Sequence, residues 1–469
     1  MPQNFIAVDR EQVFLLPPSL RDWVAEDHLV WTVLAAVAEM DLDAFYDAYR
    51  LDGHGRPAYE PSMMVALLMY AYSQGNRSAR GIERKCREDV AYRVIAANLV
   101  PDHSTIAEFR ARHEVALAGL FGDVLGLCRE AGLVRVGVIV VDGTKVHANA
   151  SNMANMDYRK IAEEILEDAA RVDREEDELY GEKRGDELPL ELSTHNGRRE
   201  WLREAKRRLD EKREREAKPV PRSRTRRLRE AKDRLQEELW AEQHANASYE
   251  AWRARGISAD GARRMAPGTV KPYVPPDVPE GKVNISDPDS RNLKAFRGYV
   301  QGYNAQAVVT EDQVVIAAEI KTTPTDFGFL GPMVDVARRQ LLEAGVTDQP
   351  EVVVADSGYW HHEQMDQLAA DGVAVLVPPD SSKRKSPRPG WSGGRYAWMR
   401  RLLATEAGRE LYEKRHTVIE PVFGQIKFNR KIDRFQRRGR AAALSEWRLA
   451  AATHNLLKLH NHRIATASG

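Results

Sequence analysis

Val138-Ile139-Val140-Val141-Asp142-Gly143 and Val352-Val353-Val354-Ala355-Asp356-Ser357-Gly358 follow one pattern. Each is a short β-branched run closed by an aspartate and turn residues, which reads as a buried strand with a carboxylate at its end. Open α/β sheets gather their active-site groups at the carboxyl ends of such strands. The two runs set the fold class as α/β and mark Asp142 and Asp356 as candidate functional acids.

Downstream, Tyr412-x2-Arg415-x4-Glu420-x6-Lys427 adds a third carboxylate flanked by cations. Three acids from separate elements suit divalent metals, because Mg²⁺ takes hard oxygen ligands and keeps several waters. Two ions roughly 4 Å apart can stabilise the attacking and leaving oxygens of a phosphodiester displacement. Asp142, Asp356 and Glu420 are thus the candidate catalytic and metal-binding residues, with two Mg²⁺ expected and Mn²⁺ as a substitute. Lys427 lies seven residues, or two helical turns, beyond Glu420 and would hold a phosphate backbone beside the metals. Tyr412 and Arg415 would do the same upstream. Pro421 disfavours helical backbone at Glu420, so this acid reads as a helix start or a kink, and Thr417-x-x-Glu420 also fits a capping box.

Charge distribution points the same way. The 469 residues carry 70 basic and 70 acidic side chains, which cancel. Locally they do not: residues 157–191 hold 14 acidic and 6 basic, residues 198–238 hold 17 basic and 10 acidic, and residues 383–440 hold 17 basic and 5 acidic. A basic stretch of that kind is the footprint expected for phosphate contacts. Cys86 and Cys128 have no metal-binding spacing, which excludes a disulfide framework and a cysteine zinc site. No secretion signal and no membrane-spanning apolar run is read, so a cytoplasmic protein without membrane contact is expected.

Residues 1–134 read as an all-helical domain. Pro61 opens an apolar helix at a first-turn position, and Thr105-x-x-Glu108 fits a capping box. Arg77, Arg80, Arg84, Arg110 and Arg112 are candidate DNA contacts if this domain is a helix-turn-helix-like reader; a helical bundle that supports the rest is the other reading. Residues 135–469 read as the catalytic domain, interrupted at 152–285 by a charged insertion. Two thin apolar stripes there (Leu202, Ala205, Leu209, then Leu228, Ala231, Leu235, Leu239) fit two antiparallel charged helices, with a disordered linker as the competing account. Residues 267–279 hold five prolines and read as extended connector. Residues 298–309 and 313–320 read as a hairpin, followed by helix 327–344, strand 351–355, a helix through Met365 and Leu368, strand 373–377, a basic loop at 383–390, and helices to the end. Trp391, Tyr396 and Trp398 are either packing groups or a stacking surface for an unpaired base. A mixed sheet with flanking helices accommodates this order.

Taken together, Asp142-Gly-Thr-Lys-Val-His-Ala-Asn-Ala-Ser151, Gly302-Tyr-Asn-Ala-Gln306, Ala355-Asp-Ser-Gly-Tyr359 and Ile419-Glu-Pro-Val-Phe-Gly-Gln-Ile-Lys427 resemble the DDE transposases of bacterial insertion sequences. Phe14-Leu-Leu-Pro17, Pro61-Ser-Met-Met64 and Pro101-Asp-His-Ser-Thr-Ile-Ala-Glu-Phe-Arg110 extend the resemblance over nearly the whole chain. The resemblance implies a ribonuclease-H-like mixed sheet whose acidic triad falls on Asp142, Asp356 and Glu420. It also implies two divalent metals, cleavage at terminal inverted repeats, joining of the freed 3′-hydroxyls to target DNA, and a dimer or larger homo-oligomer on double-stranded DNA. The family's tyrosine-arginine-glutamate-lysine signature falls on Tyr412, Arg415, Glu420 and Lys427, with one residue more between arginine and glutamate than the broader superfamily has. The long insertion precedes the second aspartate rather than following it. A domesticated DNA-binding protein that no longer cuts, and a Mg²⁺-dependent nuclease without strand transfer, are the rival readings.

Overall fold

The computed structural model describes residues 19–49, 57–165, 167, 220–221, 223–254, 280–295, 298–381, 391 and 393–467. The apolar stripe at 202–209, the connector at 267–279, the basic loop at 383–390 and the motif at 14–17 lie outside the described residues.

The amino-terminal part is helical: α1 (Leu29–Glu39), α2 (Asp43–Tyr46), α3 (Pro61–Ser73), α4 (Ala79–Glu88), α5 (Val90–Ile95), α6 (His103–Arg112) and α7 (Glu114–Glu130). Helix α3 starts at Pro61, and every residue from Met64 to Ser73 is buried, as an all-round apolar helix requires. Helix α6 corrects the expected cap. Its N-cap is Asp102, whose Oδ1 accepts from the backbone N–H of Ser104 at 2.9 Å and Thr105 at 3.0 Å. An aspartate three residues earlier claims the free amides first, so Thr105 sits inside the first turn.

A two-stranded ladder pairs β2 (Asn155–Asp157) with β3 (Lys282–Asn284), and the main sheet runs β4 (Arg291–Ala295), β5 (Gly298–Thr310), β1 (Val138–His147), β7 (Val352–Ala355), β8 (Ala374–Leu376), with β6 (Val315–Lys321) also pairing with β5. Strand β5 is antiparallel to β1, β4 and β6, whereas β7 lies parallel to both β1 and β8, so the sheet is mixed. The expected hairpin is β5 and β6. Strand β1 is longer than its local sequence suggests: it passes through Asp142-Gly143 and continues to His147, because β5 offers pairing partners from Thr310 down to Gly302. Asp142 is therefore mid-strand, not at a turn. Gly143 is needed there for close approach, since a Cβ would meet Gln306 Nε2 at 2.2 Å and Asn304 Oδ1 at 2.8 Å.

Helices α9 (Leu330–Glu343) and α10 (His362–Ala370) connect β6 to β7 and β7 to β8, and α11 (Gly394–Ala404), α12 (Glu406–Gly424) and α13 (Arg440–Ala467) follow. One hydrophobic core runs from α1–α7 through α13 into the sheet. The insertion contributes α8 (Arg224–Ala254), whose Leu228, Ala231 and Leu235 close a small separate core over Met156, Ile161, Val283 and Ile285. Arg234 to Asp289 at 2.5 Å and Arg291 to Glu238 at 3.2 Å tie α8 to the segment before the sheet. Among the described residues no helix is long and apolar enough to cross a membrane.

Candidate active site

The ladder between β1 and β7 sets the site. Val141 pairs with Ala355 in parallel register, so the next residues on the two strands, Asp142 and Asp356, leave it side by side. Asp356 caps a short 3-10 turn, its Oδ1 accepting from Gly358 N–H at 2.7 Å. Asp142 Oδ1 accepts from its neighbour Gly143 N–H at 2.8 Å, and its Oδ2 accepts from Arg415 Nη2 at 2.9 Å. Burial pushes the Asp142 carboxyl up to about 6; Arg415 opposes this, and the charges of Asp356 and Asp326 add to it. Asp356 is also raised, by burial first and then by Asp326, against the Gly358 amide and Arg415.

Asp326 is the acid that sequence reasoning missed. It lies in the loop between β6 and α9, where no strand or helix period marks it. Asn304 Nδ2 and Gln306 Nε2 donate to its Oδ1 at 2.7 and 2.8 Å, and Lys145 Nζ stands 4.0 Å away. Those two amides belong to the Gly302–Gln306 motif, which gives that motif a structural task. Tyr359, wholly buried, donates its hydroxyl to Gln306 Oε1 and fixes the amide's orientation. The signal that could have found Asp326 is the pair of side-chain amides spaced two apart on β5, facing one way.

Helix α12 and the π-helical turn that follows it (Gln425–Asn429) lie over this arrangement and supply the remaining candidates. Arg415 reaches Asp142, and Tyr412 is packed beside Arg415, its hydroxyl raised by burial. Lys427 Nζ donates to Thr144 Oγ1 and to the Lys145 carbonyl, each at 2.9 Å, so it is anchored two residues along from Asp142. Glu420 departs from the expectation. Helix α12 begins at Glu406 with Thr405 as N-cap, so Glu420 is in the helix interior and Thr417 caps nothing. Its carboxylate is half exposed and turned to His416, one helical turn back, at 2.7 Å. Arg415 and Glu420 are five positions apart, about 140° around a helix, so Glu420 leaves a different face from the Arg415 side chain that reaches Asp142. Among the described residues no three acidic, histidine or cysteine side chains stand close enough together to hold an ion as they lie.

By chemistry, though not as the side chains lie, the donors are of the kind a divalent cation takes: Asp142 is buried, Asp356 and Asp326 are partly buried, and all three offer hard oxygens. Asn304 Oδ1 is buried there without a hydrogen-bond partner, and Arg415 occupies Asp142 as a tethered cation.

Two arginines expected to meet DNA do not face solvent. Arg77 is buried, donating to the carbonyls of Arg434 and, at 2.6 Å, Lys431. Arg110 is buried and donates to the Arg77 carbonyl at 2.8 Å. Together they pin the helical part to the loop after α12, and as buried groups they do not face a phosphate backbone in solvent. Arg80 is exposed on α4. Trp391 and Tyr396 stack on each other with centroids 4.5 Å apart, which is packing; Trp398 is exposed.

A transposase domain model (DUF772) matches residues 18–112, and a transposase DDE domain model matches residues 386–460. The second span contains Tyr412, Arg415, Glu420 and Lys427; Asp142 and Asp356 fall in neither. No curated protein and no solved structure matches the chain.

Proposed function

The chain is a DDE transposase of the insertion-sequence type, and from that premise we propose that it cuts DNA at the ends of its element and joins the freed 3′-hydroxyl to target DNA. The observation that carries this reading is the placement of Asp142 and Asp356 side by side where the β1–β7 ladder ends, beneath Arg415 of α12 and Lys427 of the π-helical turn that follows it. The strand order, three antiparallel strands followed by two parallel to the first, supports a ribonuclease-H-like core.

In this reading Asp142, Asp356 and Glu420, the last released from His416, would hold divalent ions, Mg²⁺ or Mn²⁺. Such ions supply charge stabilisation to the oxygens around the scissile phosphorus. Arg415 gives up Asp142 and, with Lys427, holds the phosphate backbone in line. A water oxygen bonds to phosphorus and loses a proton to solvent as the bond to the 3′ oxygen breaks; that oxygen leaves with the electron pair and takes a proton from solvent. In the second step the 3′-hydroxyl oxygen attacks a target phosphodiester, losing its proton to solvent while the target's own 3′ oxygen departs. Double-stranded DNA, both terminal repeats and target, is the partner, and two or more copies of the chain act together on it.

A Mg²⁺-dependent assay on DNA carrying the element's ends tests this. Asp142→Ala, Asp356→Ala and Glu420→Ala should each abolish cleavage and leave DNA binding measurable. Near-full activity in any one of them means that residue is misassigned. A wild type that shifts the DNA without nicking it is a binder, and one that nicks without strand-transfer products is a nuclease.

A further inference from the structure

Strand β1 has a continuation that the catalytic reading does not use. Beyond His147 the chain runs alongside residues 433–436: Asp433 O accepts from His147 N–H at 2.9 Å, His147 O accepts from Phe435 N–H at 2.8 Å, and Asn149 Nδ2 donates to Gln436 O at 2.7 Å. Glu446, fully buried, fixes the far side of this loop by accepting the backbone N–H groups of Gln436 and Arg437 at 2.9 and 2.8 Å. The ridge is therefore rigid, and it projects cations.

Arg434 donates to the Ala148 carbonyl at 3.3 Å and Arg438 to the Asn149 carbonyl at 2.9 Å. Both are exposed, and neither makes an ion pair with an acidic side chain among the described residues. Their neighbour Arg437 differs, being neutralised by Glu114. Two clefts of about 460 and 600 Å³ flank the ridge and share Asn149 and Arg438 in their walls. The insertion contributes Val220, Pro221 and Arg227 to the wall of the first. Arg227 Nε is buried there without a hydrogen-bond partner, a donor with nothing to donate to. The second is rimmed by the exposed Tyr299 and by the polar stretch Asn149–Asn152.

Guanidinium groups in series without a carboxylate partner, with side-chain amides between them and Glu114 of the cleft walls already tied to Arg437, match a run of phosphates better than any single anion. Strand geometry fixes the distance. His147, where β1 ends, lies five residues past Asp142, about 17 Å at roughly 3.3 Å per residue, and Asn149, in the bend two residues on, lies at most about 23 Å away, or about five to seven steps of a DNA strand at 3.4 Å each. We propose that the twin cleft is a second, non-catalytic DNA site gripping the backbone about five to seven nucleotides from the cut, and that the charged insertion serves as its outer jaw through Arg227. This rests on the cleavage reading above and gives the insertion a task.

The test uses the full chain on a duplex carrying the inverted repeat beside its reading frame, with a scrambled duplex alongside. Arg227→Gln and Arg438→Gln should each lower the slope of log K against log salt by about 0.9, the loss of one phosphate contact, on both duplexes. Phosphate-ethylation interference five to seven nucleotides from the nick should weaken in both variants, and Arg438→Lys should restore the slope. Unchanged slope and interference in both variants, with a wild type that still nicks, overturns the second site and leaves the cleavage reading intact. Failure of Arg438→Lys to recover the slope, with a lowered melting temperature, also overturns it, by making Arg438 a loop clamp. A wild type that binds neither duplex removes both readings together.

Discussion

At the scale of single residues the site is an excess of buried negative charge held in check by one guanidinium. Removing Arg415 leaves Asp142 buried beside Asp326 and Asp356 with its main counter-ion gone. Breaking a buried pair from one side typically costs 3–5 kcal/mol. Arg415→Ala should therefore lose about 3 kcal/mol in urea unfolding without divalent ions, and Asp142→Asn in that background should recover most of it. A double variant no more stable than Arg415→Ala alone would show that the pair is not what the arginine contributes. Glu420 makes a second prediction. If His416 merely parks the carboxylate, His416→Ala should keep cleavage and lower the Mg²⁺ needed for half-maximal rate, while Glu420→Ala loses cleavage. Equal loss in both would make the His416–Glu420 pair itself the working unit. Asp142 and Asp356 were legible from sequence because their signal is local: an apolar run, then an acid. Arg77 and Arg110 were not, because what buries them is a carbonyl more than 300 residues away in one case and another arginine's backbone in the other.

Among the elements, α12 shows how a proline is carried inside a helix. Pro421 has no N–H, so the carbonyl of Thr417 loses its intrahelical donor. Gln313, at the hairpin tip between β5 and β6 with φ of 60°, donates its Nε2 to that carbonyl at 3.0 Å. The sequence indicated a break at Glu420; the fold removes it by importing a donor from a turn about a hundred residues upstream. Gln313→Ala should cost about 1 kcal/mol, the net worth of one hydrogen bond. In a Pro421→Ala background the same change should cost close to nothing, because the restored N–H serves Thr417. A double-mutant cycle by chemical denaturation checks this, and additive losses would mean Gln313 acts elsewhere. Strand β1 carries the same lesson in the other direction. Asp-Gly reads locally as a turn, yet a partner strand with free ladder positions pulls it straight through.

Over the whole molecule, the sequence reads as a helical half and a sheet half with a boundary at 134, and the core disregards that boundary. The reason is α13, read from sequence only as a terminal helix with one apolar face. In the fold it is buried against α7 and α3 on one side and β6 on the other. Asn455, wholly buried on α13, is the joint: its Oδ1 accepts from Val315 N–H at 2.9 Å and its Nδ2 donates to Val315 O at 2.8 Å, while Cys128 of α7 approaches its own carbonyl at 3.6 Å. One amide side chain thus completes the first ladder position of β6 and fixes the helix that α7 leans on. Asn455→Leu keeps the volume and strands both Val315 groups in an apolar interior, at about 1–3 kcal/mol each. If the halves fold as one unit, the variant should lower the melting of both together, seen as a single calorimetric transition shifted down, with hydrogen-exchange protection falling in α3 as well as in β6. A helical half that keeps its wild-type protection while the sheet opens would break the molecule into two independent bodies, and the rigid placement of α12 over the aspartates would then need another source.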